Sequence, residues 1–164
     1  MKINKKFLFV FLPIIAGILL LDLLTKEFIA MAIPMYEIRP FIGGVFNFTH
    51  YENTGAAWSI FAGNQAFLII ISVVFVLLIG IFYFFERKNG ALFHIGTALI
   101  LGGAVGNMVD RVFLGFVRDF IQFDFWRSFP VFNVADIALT IGVVLVVLFY
   151  FLNIFKRGKN AKND

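Results

Sequence analysis

The chain has 164 residues, of which 61% are hydrophobic and 15% charged, and its mean hydropathy is +0.93. A soluble domain of this size cannot bury so much apolar surface, and disordered chains lack the aromatic residues that make up 18% of this one. The composition therefore predicts an integral membrane protein. Because cysteine is absent, disulfides, thiol nucleophiles and thiolate metal ligands are excluded.

Four apolar segments reach or approach the length of about 20 residues that a helix needs to cross a bilayer. We expect them to form four transmembrane helices of a single membrane domain that covers 1–164. The segments run approximately over 7–33, 66–85, 92–114 and 133–155.

The first segment also has features of a cleavable signal peptide, since lysines precede it and Ala30-Met31-Ala32 lies near its end. That interpretation is disfavoured because Asp22, Lys26 and Glu27 interrupt the apolar stretch. A retained first helix also keeps the number of spans even, which makes the charge pattern consistent.

Basic residues in the loops indicate which ends of the segments face the cytoplasm. They concentrate before the first span, between the second and third, and after the fourth, at Lys2, Lys5, Lys6, Arg87, Lys88, Lys156, Arg157, Lys159 and Lys162. These flanks carry about +7 and the rest of the chain about −3. Both termini are therefore expected in the cytoplasm, and the net charge of +4 requires no nucleic acid as a partner.

The connections at 34–65 and 115–132 then face outward. The first contains an alternating run from Val45 to Tyr51, bounded by Pro40 and Gly43-Gly44, which predicts short strands.

Polar residues within the spans cluster near one depth. At about 1.5 Å of rise per residue, Asp22 and Asn107 each lie roughly 22 Å from the cytoplasmic end of their spans, and Asp136 roughly 28 Å. Helical spacing puts both members of each of three pairs on one face of their helix: Asp22 and Lys26, Asn107 and Asp110, and Asn133 and Asp136. Charges inside a membrane are costly and usually paired or functional.

Two carboxylates that lie close together cannot both ionise easily, so one serves as a base and the other as an acid. Asp119 and Asp136 are the favoured pair, because Asp110 precedes Arg111 and Asp22 has Lys26 one turn on. Such a pair suits the activation of water for attack on a peptide carbonyl. A buried hydrogen-bond network that only holds the helices together explains the spacing equally well.

Five motifs decide between these alternatives. In chain order they are D-L-L-T-K at 22–26, N-T-G-A-A-W at 53–58, G-G-A-V-G-N-M-V-D-R at 102–111, V-R-D-F-I at 117–121 and F-N-V-A-D at 132–136. Together they resemble the lipoprotein signal peptidase family, also called signal peptidase II, over about residues 7–155.

The resemblance implies an aspartic endopeptidase of the bacterial inner membrane that cuts diacylglyceryl-modified prolipoproteins just before the lipidated cysteine. It implies Asp119 and Asp136 as the catalytic residues, with no metal or organic cofactor. It also implies a small extracytoplasmic β-sheet cradle between the first and second helices, and an active site toward the outer face. The residues expected to support the site or bind substrate are Asp22, Lys26, Asn53, Gly55, Asn107, Asp110, Arg111, Asn133 and Ala135.

Two positions depart from the family's usual pattern. Leu23 replaces a glutamine, and Arg118 replaces an apolar residue before the catalytic aspartate. We expect Arg118 to point toward lipid headgroups, although a cation there also favours Asp119 as the base.

The expected partners are lipidated prolipoproteins and membrane lipids, and the chain is expected to be a monomer. The alternatives are a small ion- or proton-coupled transporter and a non-enzymatic assembly factor. Transporters typically have internal repeats and polar groups near the middle of the membrane, whereas this sequence has no repeat and a cluster displaced outward.

Overall fold

The computed structural model describes residues 5–56, 58, 60–86 and 90–160, with side chains for 9–56, 58, 60–86 and 90–155. Four helices and three strands follow one another along the chain. They are α1 (Lys5–Ala32), β1 (Ile38–Ile42), β2 (Phe46–Asn53), α2 (Gln65–Glu86), α3 (Ala91–Leu114), β3 (Val117–Phe123) and α4 (Val134–Asn160).

Each predicted span corresponds to one helix. Among the described residues, four stretches are long and apolar enough to cross a membrane, at Phe9–Ala32, Gln65–Glu86, Ala91–Leu114 and Val134–Phe155. The prediction of four long apolar helices is therefore confirmed. The nine basic side chains on which the predicted orientation rests, from Lys2 to Lys162, lie outside the described side chains.

Helix α3 is the centre of the bundle. In its most apolar stretch 67% of the residues are buried, against 17%, 6% and 11% for α1, α2 and α4. The other three helices all contact α3, and α4 and α1 do so most extensively. Most side chains in the apolar stretches of these three helices are not buried within the protein, as expected for helices surrounded by lipid.

Glycines allow the neighbouring helices to approach α3 closely. A Cβ built on Gly96 would lie 2.9 Å from the carbonyl oxygen of Gly142 in α4, and a Cβ on Gly142 would lie 2.6 Å from the carbonyl oxygen of Gly96. On the α1 side, a Cβ on Gly102 would lie 3.0 Å from Cβ of Ile18. Close approach at small residues is typical of packed membrane helices, and Gly102 forms a G-x-x-x-G pair with Gly106 on the α1 side.

The three strands form one antiparallel sheet in the order β1-β2-β3. The predicted strands of the first connection are β1 and β2, but the third strand comes from the second connection, at 117–123. The expectation of a sheet built only between the first two helices was therefore incomplete. The V-R-D-F-I-Q-F run forms β3, which pairs with backbone N–H and C=O groups along the free edge of β2; Asn53, for example, is paired with Val117.

Packing fixes β3 against the helices. Gly115, at φ 81°, ends α3 in the left-handed conformation that glycine adopts without strain. Phe120 of β3 then packs on Ile29 and Ile33 at the end of α1. The backbone of Ile121 exchanges hydrogen bonds of 2.8 and 3.0 Å with that of Phe132, which places the start of α4 beside β3.

We expect Gly142→Ala to reduce the free energy of unfolding by about 1–3 kcal/mol, because the added methyl group meets the backbone of α3. Gly80→Ala is the matched control, since a Cβ on this α2 glycine meets nothing within 4 Å. It should be neutral or slightly stabilising. The free energy of unfolding of both variants and of the parent chain is measured in mixed micelles. Equal stability of Gly142→Ala and the parent chain would contradict the close α3–α4 crossing.

Candidate active site

A buried lysine lies between two buried carboxylates. Lys26 Nζ is 2.7 Å from Asp22 Oδ2 and 3.5 Å from Asp110 Oδ2, and all three side chains are at most 1% exposed. The Lys26 ammonium also donates to Oδ1 of Asn107 at 3.0 Å. An unpaired charge at this depth would be very costly, so each of these groups depends on the others.

Asp22 connects this ion pair to the start of α4. Its Oδ1 accepts a hydrogen bond of 2.9 Å from the backbone N–H of Ala135. That N–H belongs to the first turn of α4, where backbone donors have no partner within the helix. Gly106 makes room for Asp22, because a Cβ there would lie 2.6 Å from Asp22 Oδ2.

Arg118 is the partner of Asp110. Its Nη2 donates to Asp110 Oδ1 at 2.8 Å, and its Nε and backbone N–H donate to Oδ2 at 3.2 and 3.0 Å. Its Nη1 donates to Glu27 Oε2 at 2.7 Å. The expectation that Arg118 points toward lipid headgroups was therefore wrong: the buried Asp110 carboxylate attracts the guanidinium inward.

Asn133 and Asp136 cap the first turn of α4 reciprocally. The Asp136 N–H donates to Asn133 Oδ1 at 3.0 Å, and the Asn133 N–H donates to Asp136 Oδ2 at 3.1 Å. This is the geometry of a capping box, with Asn and Asp in the places of the usual Ser and Glu. The spacing of the N-x-A-D motif thus has a structural cause that is independent of any chemistry.

Asparagine side chains hold the two carboxylates that the motifs single out. Asn133 Nδ2 donates to Asp119 Oδ1 at 2.6 Å, and Asn53 Nδ2 donates to Asp119 Oδ2 at 2.9 Å. Asn107 Nδ2 donates to Asp136 Oδ1 at 2.8 Å. With the backbone N–H of Asn133, every oxygen of Asp119 and Asp136 accepts one hydrogen bond from a fixed donor.

Asn53 combines a turn with a contact to the carboxylate. Its Oδ1 accepts a hydrogen bond of 2.9 Å from the N–H of Gly55, as in an Asx turn, while its Nδ2 binds Asp119. Arg111 Nη2 in turn donates to the carbonyl of Gly55 at 3.1 Å. Asp110, which directly precedes Arg111 in the sequence, is instead paired with Arg118 and Lys26.

Asp119 and Asp136 line the same cavity of about 400 Å³. Its polar side also includes Asn53, Asn107 and Arg111, and its wall is apolar and aromatic, with Ile71, Phe75, Leu139, Trp58 and Phe129. Burial, followed by the nearby charge of Asp136, raises the pKa of Asp119 to about 7. Asp119 is therefore partly protonated near neutral pH, so its carboxyl group can donate a hydrogen bond to a group in the cavity.

The structure brings together all eleven residues that the motifs predict for the site. Each has a hydrogen bond or ion pair to another member, including Gly55 through Arg111 and Ala135 through Asp22. Sequence reasoning missed Arg118 as a member of this network. It also missed the cavity wall, because Ile71 and Phe75 do not differ in type from the lipid-facing residues around them.

Comparison with known proteins identifies the family. A family model described as Signal peptidase (SPase) II matches residues 14–152. The chain belongs to the signal peptidase II family. As a member, it is an aspartic peptidase of the lipoprotein signal peptidase type and a multi-pass bacterial membrane protein, as the motif resemblance predicted.

Individual relatives agree along nearly the whole chain. The lipoprotein signal peptidase of Enterococcus faecalis is 37% identical over 160 residues, which covers 96% of this chain and 99% of the relative. That of Listeria monocytogenes is 41% identical over 142 residues, covering 84% and 90%. Among solved structures, a bacterial membrane enzyme determined by the in meso method at 2.3 Å resolution superposes with a TM-score of 0.81 at 31% identity, covering 88% of each chain.

We expect Lys26→Met to lower the free energy of unfolding by about 3–5 kcal/mol, because it leaves buried carboxylates without their cation. Adding Asp22→Asn should recover part of that loss, since Asp110 still has Arg118. A double-mutant cycle in mixed micelles measures the coupling. Strictly additive losses would show that Lys26 and Asp22 do not form the pair described.

Proposed function

We propose that Asp119 and Asp136 are the catalytic pair with which this signal peptidase II cleaves its substrates. The observation that carries the proposal is the placement of two carboxylates on one cavity, each held by fixed amide donors. Preorganised groups of this kind position reactants and do not need to rearrange during the reaction.

In the proposed mechanism, Asp136 is ionised and Asp119 carries the shared proton. A water molecule between them transfers a proton to Asp136 as its oxygen attacks the scissile carbonyl. The carboxyl group of Asp119 donates a hydrogen bond to the developing oxyanion. The proton held by Asp136 then passes to the leaving amine as the C–N bond breaks, which yields one carboxyl and one amino terminus.

Arg111 is proposed to orient the substrate backbone. Its guanidinium lines the cavity and is already bound on one side to the carbonyl of Gly55. A planar group with five donors can hold that carbonyl and a substrate carbonyl at the same time. Asn53, by contrast, uses both polar atoms of its side chain on Gly55 and Asp119, so we assign it to positioning Asp119.

The proposed substrates are prolipoproteins with a diacylglyceryl group on the cysteine that follows the scissile bond. The apolar wall formed by Ile71, Phe75 and Leu139 adjoins the carboxylates and suits acyl chains and an apolar signal peptide. The charge bias along the sequence supports a site on the outer face of the cytoplasmic membrane, with the sheet on that side. One chain contains both aspartates, so a monomer suffices.

We expect Asp119→Asn and Asp136→Asn each to reduce cleavage of a diacylglyceryl-modified prolipoprotein by at least about 10³-fold, because neither amide can exchange the required protons. Both variants should remain folded. The oxygen of Asp136→Asn can still accept the cap hydrogen bond from Asn133, and the oxygen of Asp119→Asn can still accept from Asn53 or Asn133. Purified protein in micelles, with folding checked by circular dichroism, provides the measurement. Normal cleavage by either variant would refute the catalytic assignment.

The pH dependence follows from the pKa of about 7 at Asp119. As pH rises through this value the pair loses its shared proton. On the high-pH limb of the profile, above this pKa, kcat/KM should therefore fall by about tenfold per pH unit. The initial rate of prolipoprotein cleavage at constant ionic strength measures the profile. A kcat/KM that stays flat or rises as pH increases through 7 would be inconsistent with Asp119 as the proton donor.

A further inference from the structure

We propose that Arg118 is a positioning residue of the reaction, which aligns Asp119 with Asp136 by clamping the start of β3 to α1 and α3. The proposal rests on the catalytic pair proposed above and extends it to a residue at which this chain departs from the family's usual apolar position. Arg118 contacts neither the cavity nor the proposed reacting atoms, so it acts through its neighbours.

The first argument is geometric. The guanidinium of Arg118 donates hydrogen bonds to both carboxylate oxygens of Asp110 in α3, and the backbone N–H of Arg118 donates to the same carboxylate. Its remaining nitrogen, Nη1, reaches Glu27 in α1. Because successive side chains of a strand point to opposite faces, fixing Arg118 on one face sets where the next residue, Asp119, points on the other.

The second argument concerns charge. Two buried carboxylates, Asp22 and Asp110, are balanced by two cations, Lys26 and Arg118. Without Arg118, the Lys26 ammonium would be shared between both carboxylates and drawn toward Asp110. It would then hold Asn107 less firmly, and Asn107 donates to Asp136. Arg118 therefore influences both members of the catalytic pair through separate contacts.

The exposure of the two acidic partners shows which contact matters. The Glu27 side chain is 61% exposed, whereas that of Asp110 is 1% exposed. Exposed ion pairs contribute little, while a buried, forked arginine–carboxylate pair is geometrically specific. The contact with Asp110 is therefore the one that determines the alignment.

The test compares Arg118→Met and Arg118→Lys with Arg39→Met, an exposed arginine on β1 paired with Glu37. Kinetics are measured on a diacylglyceryl-modified prolipoprotein and normalised to folded protein. For Arg118→Met we expect kcat to fall about 10- to 100-fold with KM changed less than about twofold, because misplacement affects the chemical step. Arg118→Lys should be intermediate, since its ammonium binds Asp110 without the fork. Arg39→Met should match the parent chain.

The pH profile separates positioning from mere stability. The charged groups that face Asp119 are Asp136 from α4, Lys26 from α1 and Arg111 from α3. When Asp119 is less firmly held, it becomes better hydrated and moves away from Asp136, and both changes lower its pKa. The high-pH limb of the kcat/KM profile of Arg118→Met should therefore shift to lower pH. A loss of folded protein alone leaves the limb unmoved.

An unchanged kcat, a loss confined to KM, or an unmoved limb in Arg118→Met would each overturn the proposal. Asp119→Asn is assayed in parallel to keep the two failures apart. If Asp119→Asn is inactive and Arg118→Met behaves as the parent chain, only the role of Arg118 fails. If Asp119→Asn cleaves normally, the proposed catalytic pair itself fails.

Discussion

The buried ammonium of Lys26 is the constraint on which the rest of the site depends. A charge at this depth is tolerated only with carboxylates and amide oxygens around it. Its partners come from α1 and α3, and through Asp22 the network reaches the first turn of α4. The requirement to neutralise one cation therefore brings three helices to a defined relative position.

The same packing places the proposed catalytic carboxylates. Close approach at Gly106 admits Asp22, and the capping box at Asn133 and Asp136 orients the start of α4. The bridge between Ile121 and Phe132 then sets Asp119 of β3 beside that helix end. The residues that pack the helices together thus also hold the proposed catalytic pair, which explains why the spacing alone was compatible with both a network and an active site.

The four helices could be predicted because apolar length is a direct consequence of bilayer thickness. The buried polar residues could be predicted because charges are rare within such segments, and the pairing of Asp22 with Lys26 follows from helical spacing. The partner of Arg118 could not, because Asp110 lies on the preceding element and only the turn at Gly115 brings them together. Strand β3 was missed for a related reason, since its pairing with β2 links two connections far apart in sequence.

Infrared titration of the protonated carboxyl band of Asp119, obtained as the difference between the parent chain and Asp119→Asn, tests the central claim most directly. A shared proton predicts a band that is lost as pH rises through about 7, and that titrates at lower pH in Asp136→Asn because the neighbouring charge is removed. A band already absent well below neutral pH, or one unaffected by Asp136→Asn, would contradict the proposal that the two aspartates act as one catalytic pair.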